Sequence, residues 1–235
     1  MRLDKFLAEA GVGSRSQVKQ YVKKGLITIN GEKADKPEQK LDLETDIVEY
    51  KKTPVQYTAF EYFMLNKPQG VVSATKDNVS KTVIELIKDK KRADLFPVGR
   101  LDKDTEGLLI ITNDGVLSHD MLSPRKHVDK MYYAKVEGLV TDEDVKRFSE
   151  GLDIQDEKPT MPAQLVIIQA GEISEIELTI QEGRFHQVKR MFEAVDKKVI
   201  FLKRIQIGGL RLDEKLKPGE YRELTKEEIE LLRRT

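Results

Sequence analysis

The chain of 235 residues has no cysteine, which excludes disulfide bridges and thiolate metal sites. Its three histidines, His119, His127 and His186, are scattered, and no two stand at helical ligand spacing. No metal site is expected. No apolar run reaches the roughly 18 residues that a membrane-spanning helix needs. Met1-Arg2-Leu3-Asp4 reads as the start of an ordinary helix rather than a leader, so the expectation is a soluble, cytoplasmic protein away from the membrane. Gly99, Gly107 and Gly115 have neither a Walker nor a dinucleotide-binding spacing, and no cofactor is expected. Net charge is also lacking, because Lys+Arg and Asp+Glu both number 41.

That balance conceals two basic islands. Residues 1–30 hold Arg2, Lys5, Arg15, Lys19, Lys23 and Lys24 against only Asp4 and Glu9. Residues 184–204 hold Arg184, Lys189, Arg190, Lys197, Lys198, Lys203 and Arg204 against Glu193 and Asp196. Two such islands on a neutral chain point to an anionic partner met at two places. A hydrophobic content of 39% supports a core, and the length suits one large domain or two smaller ones.

Leu3, Phe6, Leu7 and Ala10 have helical spacing over residues 2–10, and Gly11 to Gly13 break that helix. Ser14 with Gln17 forms a capping-box pattern before a second helix, which buries Val18, Tyr21 and Val22 and stops at Gly25. Arg15, Lys19 and Lys23 recur every four residues and line its exposed face. "LITIN" with Asn30-Gly31 predicts a strand entering a tight turn. Leu41, Leu43, Ile47 and Val48 are expected to carry the strands that close this unit. The expected domains are residues 1–52, a linker at 53–58, and a larger domain at 59–235.

In the larger domain, strands are predicted at "YFML", 131–136, 164–168 and 173–181, with Ile176, Leu178 and Ile180 alternating with polar residues. Helices are predicted at 79–90, 141–150 with Thr141 as cap, 186–195, and 225–234 with Thr225 and Glu228 as a capping box. The elements do not alternate strictly. The fold class is therefore α+β, with a largely antiparallel mixed sheet flanked by helices.

"GRLDKDTEGLLIITNDG" (99–115) sets Asp102, Asp104 and Glu106 at two-residue spacing just before the apolar run Leu108–Ile111. A pair of acids could serve as general acid and base, as in a glycosidase. Alternate residues of an extended chain point apart, which disfavours such a pair.

Two resemblances add to this reading. "RLDKFLAEAGVGSR", the basic helix and "GLITINGEKA" resemble the alpha-L RNA-binding module of a ribosomal small-subunit protein, over about fifty residues. "NKPQG", "GRLDKDTEGLLIITNDG", "KMYYAKVEG" and "EGRFHQVKRM", in that order behind such a module, resemble the pseudouridine synthases. "SHDMLSPRKHVDKMY" and "IGGLRLDEKLKPGEYREL" resemble the branch that modifies 16S ribosomal RNA of the small subunit. The likeness extends over essentially the whole chain.

The resemblance implies isomerisation of a specific uridine within RNA, without metal or cofactor. It implies Asp102 as the acting carboxylate, either nucleophile at the sugar or base towards a neighbouring sugar proton. It implies Lys189 as the cation that keeps Asp102 ionised, and Tyr132 as the aromatic wall for a base turned out of its stack. Asp104 and Glu106 match no required position and are expected to be structural. Arg2, Lys5, Ser14, Arg15, Gln17, Lys19 and Lys23 are implied to face RNA phosphates, with Arg100, Arg184, His186 and Gln187 as further RNA contacts. Lys67 in "NKPQG" is expected to be structural or to touch phosphate, and His119 and His127 to be structural or at the RNA edge. The implied partner is 16S ribosomal RNA, in an assembling small subunit, met by a monomer. Two other readings stay open: a synthase acting on 23S ribosomal RNA, and a non-catalytic assembly factor that only binds RNA.

Overall fold

The computed structural model describes residues 1–234, which form two compact units. The first comprises Met1–Glu61 together with Lys88–Leu95, and the second comprises Tyr62–Ile87 and the residues from Phe96 onward. Among the described residues, no helix is long and apolar enough to cross a membrane.

The first unit begins with α1 (Leu3–Glu9) and α2 (Arg15–Lys23). The Ser14 hydroxyl accepts from the Gln17 N–H, and the Gln17 side chain accepts from the Ser14 N–H, so both ends of the expected capping box are made. Strands β1 (Ile27–Ile29), β2 (Glu32–Lys33), β3 (Val48–Tyr50) and β4 (Thr53–Pro54) form an antiparallel sheet in the order β2-β1-β3-β4. Asn30 and Gly31 both have positive φ, as the tight turn from β1 to β2 requires. Leu3, Phe6, Leu7, Val18, Val22, Ile27, Leu41 and Val48 fill the core between helices and sheet.

Three expectations change here. Leu43 and Ile47 are exposed and lie outside the strands, and Leu41 packs from a loop, so only Val48 of those four residues is in a strand. Residues 53–58, expected as a linker, are integral to the unit: β4 pairs with β3, and Tyr57 stacks on Phe6 with centroids 5.3 Å apart. The excursion Lys88–Leu95 was not foreseen. It is held by Glu61, which accepts from the N–H groups of Lys91 and Arg92, and by the buried Arg92 guanidinium, 2.9 Å from Glu9 and 2.7 Å from Asp94.

The second unit is built on one sheet. Its strands are β5 (Tyr62–Lys67), β6 (Phe96–Pro97), β7 (Glu106–Thr112), β8 (Lys130–Glu137), β9 (Gln164–Gln169), β10 (Ile173–Ile180), β11 (Lys198–Ile207), β12 (Leu210–Arg211) and β13 (Tyr221–Glu223). The order is β13-β5-β7-β11-β8-β10-β9, with β6 on β7 and β12 on β11. Every pairing is antiparallel except β7 with β11, which meet in parallel through Lys203–Glu106 and Arg204–Gly107. At this seam a Cβ on Gly107 would lie 2.2 Å from the Arg204 carbonyl oxygen, and Gly107 has φ +105°. Only glycine admits so close a strand approach.

Helices α3 (Gly115–Leu122), α4 (Asp142–Glu150), α5 (Gln187–Glu193) and α6 (Lys226–Arg233) flank the sheet. Asp114 caps α3, and Thr141 with Asp144 and Thr225 with Glu228 form capping boxes on α4 and α6. Leu108 and Ile110 join Leu117, Met121, Leu224 and Leu232 in one cluster, while Leu109 and Ile111 are buried too, so β7 is covered on both faces. On α5, Val188, Met191 and Phe192 are buried, and Phe192 meets Phe148 of α4 at 4.9 Å. The expected helix at 79–90 does not form. Thr82 pairs with Val72 as an extended bridge, a 3-10 turn covers only Val83–Leu86, and Ile87 is extended before the chain enters the first unit. The extended bonds of Val72 to Lys81 and Val83 capture the backbone that a helix would have used.

Candidate active site

Asp102 lies in the turn between β6 and β7, and that turn is fixed from beneath. Leu101 is buried, and the Ser73 hydroxyl accepts from its N–H (3.0 Å) and donates to its carbonyl (2.9 Å). Lys67, ending β5, has no exposed surface. Its ammonium donates to the carbonyl oxygens of Pro68 (3.1 Å), Asp102 (2.9 Å) and Thr105 (2.9 Å). Burial pushes its pKa down from 10.5 to about 8, against the pull of Asp102, Asp104 and Glu106. A charged donor to three carbonyls is a clamp on this turn, and its burial leaves nothing for a phosphate to touch.

The Asp102 carboxylate remains about one-third exposed, with Oδ1 3.6 Å from Nε2 of His186 and Oδ2 3.4 Å from Nζ of Lys189. Lys189 stands on α5, 87 positions later in the sequence, and reaches Asp102 as its place in the motif implied. Its shorter bonds, however, go to Asp104 at 2.7 and 2.9 Å. The hydrogen bond from Lys189 holds the Asp104 carboxyl below its usual range. Burial weakens the Lys189 charge, but the bond to Asp104 and the charges of Asp102 and Asp104 outweigh it, so its pKa sits above the ordinary value. Asp104 is thus part of the constellation rather than an uninvolved loop acid. On an extended chain Asp102 and Asp104 would point apart, but the turn at Lys103–Asp104 brings both carboxylates to one ammonium.

These groups stand at the side of a cavity of about 650 Å³. Tyr132, Ile180, Val188 and Leu202 give it apolar walls, and Arg100 is exposed at it. Tyr132 shares a strand face with buried Ala134 and Val136, whereas Tyr133 turns the other way and donates to Glu175. The period of two in β8 decides which tyrosine meets the cavity.

Of the residues expected to contact RNA here, two are committed to the fold. The Arg184 guanidinium pairs with Glu182 (2.9 Å) and donates to the carbonyls of Lys158 (2.6 Å) and Pro159 (2.8 Å). Gln187 is buried, accepts from the Arg184 N–H and donates to Glu182. His186 is open, at φ +49°, and stacks on Phe185 with centroids 3.8 Å apart. His119 and His127 are exposed and do not line the cavity.

Three residues at the cavity were missed: Phe185, 74% exposed, and the cations Lys130 and Arg204. Lys130 was legible, because it stands two positions before Tyr132 and so on the same strand face. Arg204 depends on the β7–β11 seam, which no local pattern announces.

In the first unit, Arg2, Arg15, Lys19 and Lys23 line a polar cleft of about 450 Å³ with Asp4, Ser16 and Gln20. Arg2 is held on Asp4 by two bonds, and Lys5 lies 3.7 Å from Glu9. Ser14 and Gln17 use their side-chain oxygens on the start of α2.

Residues 61–194 match the RNA pseudouridylate synthase family, and residues 1–48 match the S4 domain. The chain belongs to the RNA pseudouridylate synthases. It is 47% identical over 234 residues to an uncharacterised RNA pseudouridine synthase of Bacillus subtilis (strain 168), covering 99% of this chain and 98% of that one. It is 44% identical to ribosomal small subunit pseudouridine synthase A of Yersinia pestis, over 97% of each chain. The protein of the same name from Escherichia coli (strain K12) is 43% identical, over 97% of this chain and 98% of that one. A crystal structure of a pseudouridylate synthase superposes with a TM-score of 0.70 at 38% identity, covering 99% of both chains. As a pseudouridine synthase with an S4 domain, the protein isomerises uridine in RNA, and its α+β architecture is that of its family.

Proposed function

We propose that this synthase converts one uridine of 16S ribosomal RNA to pseudouridine, with the target base everted into the 650 Å³ cavity and Asp102 acting on its sugar. The observation that carries the residue assignment is the meeting of Asp102, Lys189 and the Tyr132 wall at one cavity, from three distant parts of the sequence. The end-to-end similarity to small-subunit enzymes supports the choice of RNA.

The reaction breaks the bond between C1′ and N1 of the base and rejoins C1′ to C5, so atoms are conserved. Asp102 either attacks C1′ or takes the C2′ proton, and a deuterium isotope effect at C2′ separates the two. Lys189 favours the ionised carboxylate by charge, shared with Asp104. Tyr132 stacks on the everted base, Arg100 contacts the strand around it, and Phe185 with His186 offers a stacking surface to an adjacent nucleotide. In the S4 domain, Arg2, Lys5, Arg15, Lys19 and Lys23 meet phosphates without reading sequence.

Mapping of carbodiimide-derivatised pseudouridine in ribosomal RNA from a deletion strain, complemented with wild type or Asp102→Asn, tests the proposal. One small-subunit pseudouridine should vanish on deletion and return only with wild type. Loss of a large-subunit site instead refutes the choice of RNA, and restoration by Asp102→Asn refutes the role of Asp102.

A further inference from the structure

Two cations sunk in the cavity wall have no carboxylate partner among the described residues. Lys130 begins β8, is half-buried and, among the described residues, donates only to the Val128 carbonyl (2.8 Å). Arg204, on β11, is 3% exposed, donates through Nε to the Leu108 carbonyl (2.9 Å), and keeps a buried terminal nitrogen without a partner. Among the described residues no acid lies within ion-pairing distance of either. Asp129, the next acid in the chain, accepts from Gln181 instead (2.9 Å). Burial pushes the Lys130 pKa down and the Arg204 charge adds to that, against a smaller opposing pull from the Asp129 carboxylate, which lies beyond ion-pairing distance. Unpaired cations in a half-closed cavity are costly, and a fold that keeps two of them side by side leaves the counter-charge to come from what the cavity binds.

We propose that Lys130, with the Arg204 charge behind it, binds the uracil carbonyl oxygens and stabilises the negative charge that the base acquires when its bond to the sugar breaks. This rests on the reading in which the target base enters this cavity. An everted nucleotide enters base first, so its phosphates stay at the rim with Arg100 and Lys103, whereas Lys130 and Arg204 flank Tyr132 on the sheet beneath. Arg204 is the register partner of Tyr132, and Lys130 stands two residues from it on the same face. When the C1′–N1 bond breaks, its electron pair leaves with the base and spreads over O2 and O4. The base turns while held through those oxygens, C5 bonds to C1′, and the C5 proton is lost as N1 gains one. A fixed cation aimed at charge present only during reaction lowers the barrier without tightening substrate binding.

The test compares wild type, Lys130→Met and Lys130→Arg in single-turnover assays on RNA carrying uridine or 5-fluorouridine at the target, scored on both RNAs by loss of the N1-linked nucleoside, because fluorine at C5 blocks the final proton loss. Fluorine makes the base a better leaving group and less dependent on help. Lys130→Met should lose roughly 100-fold in rate on uridine RNA, keep its RNA affinity within about twofold, and lose markedly less on 5-fluorouridine RNA. Lys130→Arg should recover most of the rate, which a proton-accepting role would not allow. The proposal is overturned if Lys130→Met weakens RNA binding at an unchanged rate, the sign of a phosphate contact. It is equally overturned if the defect is the same on both RNAs, or if a Lys130→Arg protein that melts like wild type stays inactive. If wild type itself forms no pseudouridine in the uridine RNA, the choice of substrate has failed instead.

Discussion

Lys67 makes the strongest physical prediction of the fold. It has no exposed surface, its ammonium is clamped by backbone carbonyls under Asp102, and its pKa falls from 10.5 to about 8. The folded state therefore binds this proton less tightly than the unfolded chain does. Below about pH 8 both states are protonated, and the full cost of burying the charge is present. As pH rises from about 8 towards 10.5, the folded state loses its proton first and the cost disappears, so folding is favoured with rising pH in that window. At about 1.36 kcal/mol per pH unit, the gap is worth about 3 kcal/mol. Lys67→Met removes the titration. Urea unfolding of both proteins at a series of pH values from about 7 to about 10 should show wild type gaining most of that 3 kcal/mol relative to the variant. Parallel curves would refute the assigned burial cost. In the same variant, the carbonyls of Asp102 and Thr105 lose their donor and the turn shifts. Displacing a reacting group by about 1 Å costs about 100-fold, so the rate should fall while RNA affinity holds.

Three further outcomes are expected. Asp104→Asn leaves Lys189 with Asp102 alone and should reduce turnover less than about tenfold, whereas Lys189→Met removes the cation from both acids and should cost roughly 100-fold; equal effects in steady-state kinetics would contradict the arrangement. Gly107→Ala places a Cβ 2.2 Å from the Arg204 carbonyl oxygen at φ +105°, and thermal melting should show a loss of about 3 kcal/mol or more; a wild-type melt would refute the close approach. Neutralising Arg15, Lys19 and Lys23 together should lower the slope of log affinity against log salt by about two, leaving single-turnover chemistry at saturating RNA unchanged.

Local chemistry was the legible part of the sequence. Ser14 with Gln17, Thr141, and Thr225 with Glu228 announced helix starts because a cap is decided within four residues. Alternation in 173–181 announced β10, which has one buried face. The family resemblance pointed to Asp102, Tyr132 and Lys189, which the fold brings to one cavity. What escaped depends on distant partners. The helix expected over 79–90 gave way to the pairing of Thr82 with Val72, and Leu43 and Ile47 stayed exposed although apolar. Arg184 and Gln187 carry the residue types of an RNA contact, but Glu182 and the carbonyls of Lys158 and Pro159 claim them. For Lys67 the sequence left a structural role and a phosphate contact open, and only its buried carbonyl partners decide between them.

The join of β7 and β11 divides the sheet into two hairpin assemblies with different histories along the chain. One, formed by β5, β6, β7 and β13, draws on both ends of the unit's sequence and delivers the acid. The other, β8 to β12, is a single uninterrupted segment and delivers the tyrosine and the floor. A slip of one residue at their shared edge would move the two by about 3.3 Å, enough to separate every distance on which the chemistry depends. Competence should thus depend on the β7–β11 register, whereas β13, paired with β5 at the edge, lies a strand away from the join.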